Sequence, residues 1–221
     1  MTVSIVSHGH WRHIEPLLRQ LSEWCAGSVQ RVILTLNVPE RIVIPPDLAF
    51  AVEVVRNARP RGFGANHNTA FGRAHTPWFL VMNPDLRIDE DVVGRLLQGA
   101  EDEAGLLAPR VIEPGSQEPE PYRKMVTPAE LLRRRRQDHT PPDFPSWIAG
   151  MFMLLRGSAY REVRGFDERF FMYCEDVDLN LRARLRGFRT LYVPQAIVFH
   201  RLSATRGGGL ASYYCGRNSL P

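Results

Sequence analysis

Apolar residues along this chain follow two rhythms. Short runs at Val3 to Ser7, Arg31 to Leu36 (RVILTL), Phe50 to Val55 (FAVEVV), Trp78 to Met82 and Gly105 to Ala108 read as buried strands. Between them the spacing turns helical. Ile14, Leu17, Leu18 and Leu21 share one face of Trp11 to Trp24, with Pro16 expected near that helix's first turn. Phe63 to Ala74 follows a glycine turn as a second helix, and Asp89 to Gly99 is a third, with Val92, Val93, Leu96 and Leu97 turned inward. Strand and helix alternate, so an α/β fold is expected, with a mainly parallel sheet covered by helices on both faces.

The rhythm stops from Ile112 to Pro145, a segment with seven prolines. A loop of that length inside a domain is usually functional or mobile. Trp147 to Leu155 then reads as a strand, Ser158 to Val163 and Glu175 to Arg186 as helices, the latter stopped by Gly187, and Thr190 to His200 as a strand interrupted at Pro194. The expected organisation is one domain over 1–203, made of halves 1–111 and 147–203 joined by the loop 112–146. A flexible tail over 204–221 is hinged at Gly207-Gly208-Gly209.

Composition narrows the class. With 221 residues, 44% hydrophobic and 24% charged, the chain can bury a substantial core. Its longest apolar stretch, Trp147 to Leu155, is far short of the roughly 20 residues of a spanning helix. No secretory signal is expected, because Val3 to Val6 stops at Ser7-His8-Gly9-His10 without a basic leader. Cys25, Cys174 and Cys215 are odd in number and form no CxxC, which argues against a disulfide framework and for a reducing, cytoplasmic setting. The net charge is +4, yet Arg123 to Arg136 alone holds six basic residues against Glu130. Arg133, Arg134, Arg135 and Arg136 form either a solvated run or a contact for an anionic acceptor or the inner face of the cell membrane. A nucleic-acid module is the poorer reading of the charge, since the chain has no helix-turn-helix, zinc spacing or aromatic RNA-reading strand.

Candidate chemistry gathers at strand ends. Phe79-Leu80-Val81-Met82 runs into Asn83-Pro84-Asp85, placing a carboxylate at the carboxyl end of a buried strand, where open α/β sheets bind ligands. The same tripeptide is also an ordinary turn initiator. Glu175, Asp176 and Asp178 open a helix, where acids complement the dipole. The preceding Phe170-Phe171-Met172-Tyr173 would instead put them at the edge of a partly desolvated pocket. Ile197-Val198-Phe199 delivers His200 at a strand terminus, as a structural imidazole or as part of a divalent-metal and general-base constellation with the acids. Gly62-Phe63-Gly64-Ala65-Asn66-His67-Asn68 sits where a phosphate loop would. His67 replaces the third glycine of GxGxxG, and Asn66 and Asn68 either read a ligand or cap the helix.

Taken in order, SIVSHGH, GFGANHN, FLVMNPD, IAGMFMLLR and RGFDERFFMYCEDVDLNLRARLRGFRTLYVPQAIVFH resemble the inverting family 2 glycosyltransferases, in their bacterial rhamnosyltransferase-like branch, over residues 2–203. The resemblance implies a GT-A fold, Rossmann-like, with a smaller acceptor-side region. It implies metal binding by Asp85, in a DxD motif reduced to Asn83-Pro84-Asp85, and by His200, with Mg²⁺ or Mn²⁺ as the ion. Asp176 stands at the position of the catalytic base. Ser7 and Asn37 would border the nucleotide base, Asn37 where an aspartate is common, and Gly62, Asn66 and Asn83 would belong to the donor side. The implied partners are a nucleotide-diphosphate sugar and a glycan or lipid-linked acceptor, in cell-surface polysaccharide assembly. A free aspartate, near pKa 3.9, is a feeble base, so the aromatic surroundings and Glu175 are expected to raise Asp176. A catalytically inactive sugar-nucleotide-binding protein and a metal-dependent phosphoryl hydrolase are the competing readings of the same residues.

Overall fold

The computed structural model describes residues 1–113, 147–201 and 209–218. Eight strands form one sheet in the order β3-β2-β1-β4-β7-β6-β8-β5. They are β1 (Thr2–Ser7), β2 (Arg31–Leu36), β3 (Ala51–Arg56), β4 (Trp78–Met82), β5 (Leu86–Arg87), β6 (Ala104–Ile112), β7 (Phe152–Arg156) and β8 (Arg189–His200). The helices are α1 (Trp11–Trp24), α2 (Phe63–Phe71), α3 (Val92–Gln98), α4 (Gly157–Glu162), α5 (Glu175–Leu185) and α6 (Gly209–Asn218). β3, β2, β1 and β4 run parallel, as do β6 and β8, while β7 is antiparallel to both β4 and β6.

Alternation along the strands divides the core between the two faces. Leu80, Met82, Phe152 and Leu154 pack with α1 and α3, through Ile14, Leu17, Leu18 and Leu21 of the first and Val92, Val93 and Leu96 of the second. The intervening Phe79, Val81, Met153 and Leu155 pack with Ala70 of α2, Tyr160 of α4, and Leu179 and Ala183 of α5. Helices therefore cover both faces, as the chain's two rhythms require. Each buried Leu, Ile or Phe side chain contributes about 1.5–3 kcal/mol, and the central strands are buried on both sides.

Several boundaries differ from the sequence-based expectation, each for a local reason. Pro16 lies in the second turn of α1, inside the helix. α2 stops at Phe71, before Ala74, and α3 begins at Val92, where Asp91 caps it by accepting from Gly94 N at 2.8 Å. The expected strand over Trp147 to Leu155 pairs regularly only from Phe152. Residues 148–151 turn away, because the bare Cα of Gly150 lies against the Phe63 ring and the Asp176 side chain. β8 is continuous, but its pairing with β6 jumps from Val193 to Ile197, so Pro194 marks a bulge and not a break. Where a flexible tail was expected, Gly209–Asn218 is helical. The proline-rich loop, including Arg133, Arg134, Arg135 and Arg136, lies outside the described residues.

Candidate active site

β4 ends at Met82, and Asn83 N–H extends the pairing with the β7 side by donating to Met151 O at 2.8 Å. The chain then crosses to the opposite end of the sheet, where β5 pairs with the end of β8 and Asp85 O accepts from Arg201 N at 2.9 Å. This double anchoring brings Asp85 against His200. His200 Nε2 lies 3.2 Å from Asp85 Oδ2, and its Nδ1 lies 3.2 Å from Glu113 Oε1. Asp85 is buried, and the hydrogen bond from Asp85, reinforced by Glu113, raises the imidazole's proton affinity against the opposing effect of burial. Glu113 stands just past β6 in the proline-rich stretch, where no strand or helix pattern singled it out.

Asp176 lies at the start of α5. Its Oδ2 accepts from Gly150 N at 3.0 Å, and its Oδ1 from Val177 N at 2.9 Å. Gly150 and Met151 thus form a two-residue bridge, bonded to Asp176 on one side and to Asn83 on the other. Beside Asp176, Glu175 is 5% exposed and its Oε2 has no hydrogen-bond partner among the described residues. Burial, with the charge of Asp176 adding to it, pushes its carboxyl up to about 7. The turn leading into these acids is strained. Tyr173 and Cys174 are consecutive non-glycine residues at φ 67° and 69°, a conformation that costs on the order of 1–3 kcal/mol each.

The glycine loop packs tightly against the segment that leads into α5. A Cβ on Gly62 would lie 2.6 Å from Phe171 O, and one on Gly64 2.6 Å from Phe166 Cβ. Phe63 N–H, at the start of α2, already donates to Phe171 O at 2.8 Å. Gly62 thus admits the Phe171 backbone and Gly64 the Phe166 side chain, and one N–H of the helix end is taken up by Phe171 O.

The asparagines nearby are engaged within the protein. Asn57 Nδ2 donates to Asn37 Oδ1 at 2.8 Å and to Asn66 Oδ1 at 2.7 Å. Asn37 also exchanges hydrogen bonds with the Arg61 backbone, and Asn66 donates to the carbonyls of Arg61 and Gly62. Asn68 Nδ2 donates to Phe166 O, while its Oδ1 accepts from Tyr160 Oη and Phe166 N. Ser7 Oγ donates to Glu40 and accepts from His10 N at 3.0 Å.

Glu40 and His10 are residues the sequence reading passed over. The first turn of α1 contains no acid, and Glu40 supplies one from 29 positions away, accepting from Trp11 N at 2.6 Å. His10 precedes that helix and feels the Asp85 carboxylate, although burial dominates and lowers its proton affinity. The SHGH motif was the available signal for His10, whereas Glu40 had none.

Among the described residues, no group of three or more His, Cys, Asp and Glu side chains forms a ready metal cage. Asp85 and His200 nonetheless present a carboxylate and an imidazole side by side. That donor set fits an open site completed by substrate oxygens, and a carboxylate–imidazole pair suits Mn²⁺ better than Mg²⁺, which holds to oxygen ligands. A cleft lined by Asp91, Arg95, Gln98, Gly99, Val193 and Gln195 opens beside the β8 bulge and contains none of the expected site residues.

Sheet order, helices on both faces and acids at strand ends define a GT-A fold of the glycosyltransferase kind. Residues 47–163 match the model for glycosyl transferase family 2, and the chain belongs to that family. It is 32% identical over 158 residues to the N-acetylglucosaminyl-diphospho-decaprenol L-rhamnosyltransferase of Mycobacterium tuberculosis, covering 62% of this chain and half of that protein. To the rhamnosyltransferase WbbL of Escherichia coli K12 it is 28% identical over 218 residues, covering 90% of this chain and 82% of that one. The chain is thus rhamnosyltransferase-like, while spanning about half the length of the mycobacterial relatives it matches. Its fold is shared with the Pyrobaculum calidifontis mannosyltransferase PcManGT in complex with GDP-Man and Mn²⁺, at TM-score 0.68 and 13% identity over 98% of this chain and 60% of that one. Residues 1–349 of Staphylococcus aureus TarS in complex with UDP follow at TM-score 0.62 and 14% identity, over 91% and 60%. No helix among the described residues is long and apolar enough to cross a membrane.

Proposed function

We propose that this protein transfers a sugar, with L-rhamnose the first candidate, from a nucleotide-diphosphate donor to a hydroxyl of a lipid-linked glycan, inverting the anomeric centre. The observation that carries the reading is the link from Asp85–His200, through Asn83 and the Gly150-Met151 bridge, to Asp176. It joins the carboxylate–imidazole pair at the carboxyl ends of β4 and β8 to an oriented carboxylate at the start of α5.

In this reading Asp85 and His200 would hold a divalent ion, best Mn²⁺. When bound, that ion supplies Lewis-acid neutralisation of the charge growing on the leaving group. His200 must give up any proton it shares with Asp85 before its nitrogen can serve as a ligand. Asp176 faces the acceptor hydroxyl and takes its proton as the new glycosidic bond forms. Gly150 N–H fixes one oxygen of that carboxylate, so the base is held in one orientation before substrate arrives. Glu175, buried next to it in the chain, and the half-buried Phe170–Tyr173 segment lead into this carboxylate. The relatives' names support rhamnose and a diphospholipid acceptor, and the structural neighbours' ligands support a nucleotide donor and Mn²⁺.

The test pairs binding with turnover. Thermal shift with UDP, GDP and dTDP, each with and without Mn²⁺, should show stabilisation that requires the metal. Nucleotide-activated L-rhamnose and an N-acetylglucosaminyl-diphospholipid should then yield a disaccharide of inverted configuration by NMR. Release of free sugar or phosphate without transfer, or retention of configuration, refutes the proposal.

A further inference from the structure

α6 touches the strained turn at the entrance to α5 through three of its residues. Asn218 Nδ2 donates to Met172 O at 2.8 Å and to Tyr173 O at 2.7 Å. Tyr214 stacks on Phe171, with ring centroids 5.3 Å apart and planes 22° from parallel. Arg217 Nη2 reaches Arg169 O at 3.3 Å. On its other side the same segment is pinned to α2, where Phe63 N–H donates to Phe171 O and Gly62 leaves no room between them.

These contacts matter because of what the turn connects. Tyr173 and Cys174 hold positive φ, and the next two residues are Glu175 and Asp176. A chain held at positive φ by side chains other than glycine persists only where its surroundings over-determine it. The carbonyls of Met172 and Tyr173 both meet one amide group, so a single side chain satisfies both acceptors of the strained turn. If Tyr173 and Cys174 relaxed toward negative φ, the first turn of α5 would rotate, and Asp176 would lose its bond to Gly150 N.

We infer that Asn218 is a positioning residue for Asp176: by holding the Tyr173–Cys174 turn in its strained form, it sets the orientation of the carboxylate that α5 presents. The inference rests on the reading of Asp176 as the base, and it goes further by making α6 part of the transferase site.

Two variants of the full chain test it. Asn218→Ala removes the amide, and Asn218→Asp keeps its shape while replacing the N–H donors with acceptors. The expected result is a kcat about ten- to a hundredfold lower, larger for Asp than for Ala, with the donor KM within about twofold of wild type. Hydrogen–deuterium exchange of the 170–178 peptide should accelerate while the melting temperature stays nearly unchanged. Exchange needs no substrate, so it reads the turn directly. Wild-type kcat and exchange in both variants would overturn the inference, as would a loss of activity that merely tracks the unfolded fraction. Asp176→Asn run alongside separates the two ideas. If that variant turns over normally, the assignment of the base is wrong. If it is dead while both Asn218 variants match wild type, only the role of Asn218 is.

Discussion

The parallel half, β3-β2-β1-β4 with α1 and α2, and the half built on β7, β6, β8 and β5 treat most of their polar groups differently. In the first, Asn37, Asn57, Asn66 and Ser7 engage one another, the backbone or Glu40, and Thr35 Oγ1 is the buried exception among the described residues. In the second, Glu175 is buried with an unpartnered oxygen, His200 sits between two carboxylates, and Tyr173 and Cys174 hold positive φ. Satisfied networks rigidify a scaffold, whereas strain and unmatched charge persist where surrounding structure supports a chemical purpose. The contrast agrees with the proposal that the chemistry belongs to the second half and to the Asp85 turn that pairs with it.

The largest expected effect comes from Asp176→Asn, which keeps the shape and removes the base. Its kcat should fall by about 10²–10⁴, while stabilisation by nucleoside diphosphate with Mn²⁺ persists. Near wild-type turnover would erase the distinction between the halves.

Glu175→Gln comes next. Burial raises the Glu175 carboxyl to about 7 from an ordinary 4.5, so the native state holds this proton more tightly than the unfolded chain. The resulting stability is complete below about pH 4.5 and disappears as pH rises through about 7. The variant, neutral throughout, should match wild type at pH 4 and exceed it at pH 8 by up to about 3 kcal/mol in urea unfolding. A difference independent of pH would show that Glu175 is not held protonated.

Gly62→Ala tests the seam between the halves. Its Cβ would press on Phe171 O at 2.6 Å, so a cost of about 1–3 kcal/mol and a drop in transfer rate should appear together. Asn57→Ala sharpens the comparison from the scaffold side. It strips a shared donor from Asn37 and Asn66 and should cost about 1–2 kcal/mol in thermal or urea unfolding. Turnover per folded molecule should stay unchanged, and a selective loss of kcat would move part of the chemistry into the parallel half.

Much of this architecture was legible along the chain. The 3.6-residue spacing of Ile14, Leu17, Leu18 and Leu21 marked α1 with the bounds it has, and RVILTL and WFLVM marked β2 and β4. Such periodicity is a local consequence of which face is buried. Asp85 and His200 follow or end buried strands and Asp176 opens a helix, so the chain itself offered them as candidates, and the structure pairs Asp85 with His200. Glu113, Glu40, Asn57 and Asn218 were not legible. Each acts on a group 20 or more positions away, and nothing in its immediate neighbourhood marks it. The packing partners of the glycine loop, Phe171 O and the Phe166 side chain, were hidden for the same reason.

What the amino-acid order determined by itself was therefore the set of elements, their buried faces and the residue types delivered to the carboxyl ends of the strands. Those depend on short-range geometry and on the free energy of removing apolar surface from water. Tertiary structure alone decided which polar groups meet: His200 between Asp85 and Glu113, Gly150 N–H on Asp176, and the Asn218 amide on the two carbonyls before Glu175. A hydrogen bond requires placement within a few tenths of an ångström, which no one-dimensional pattern encodes.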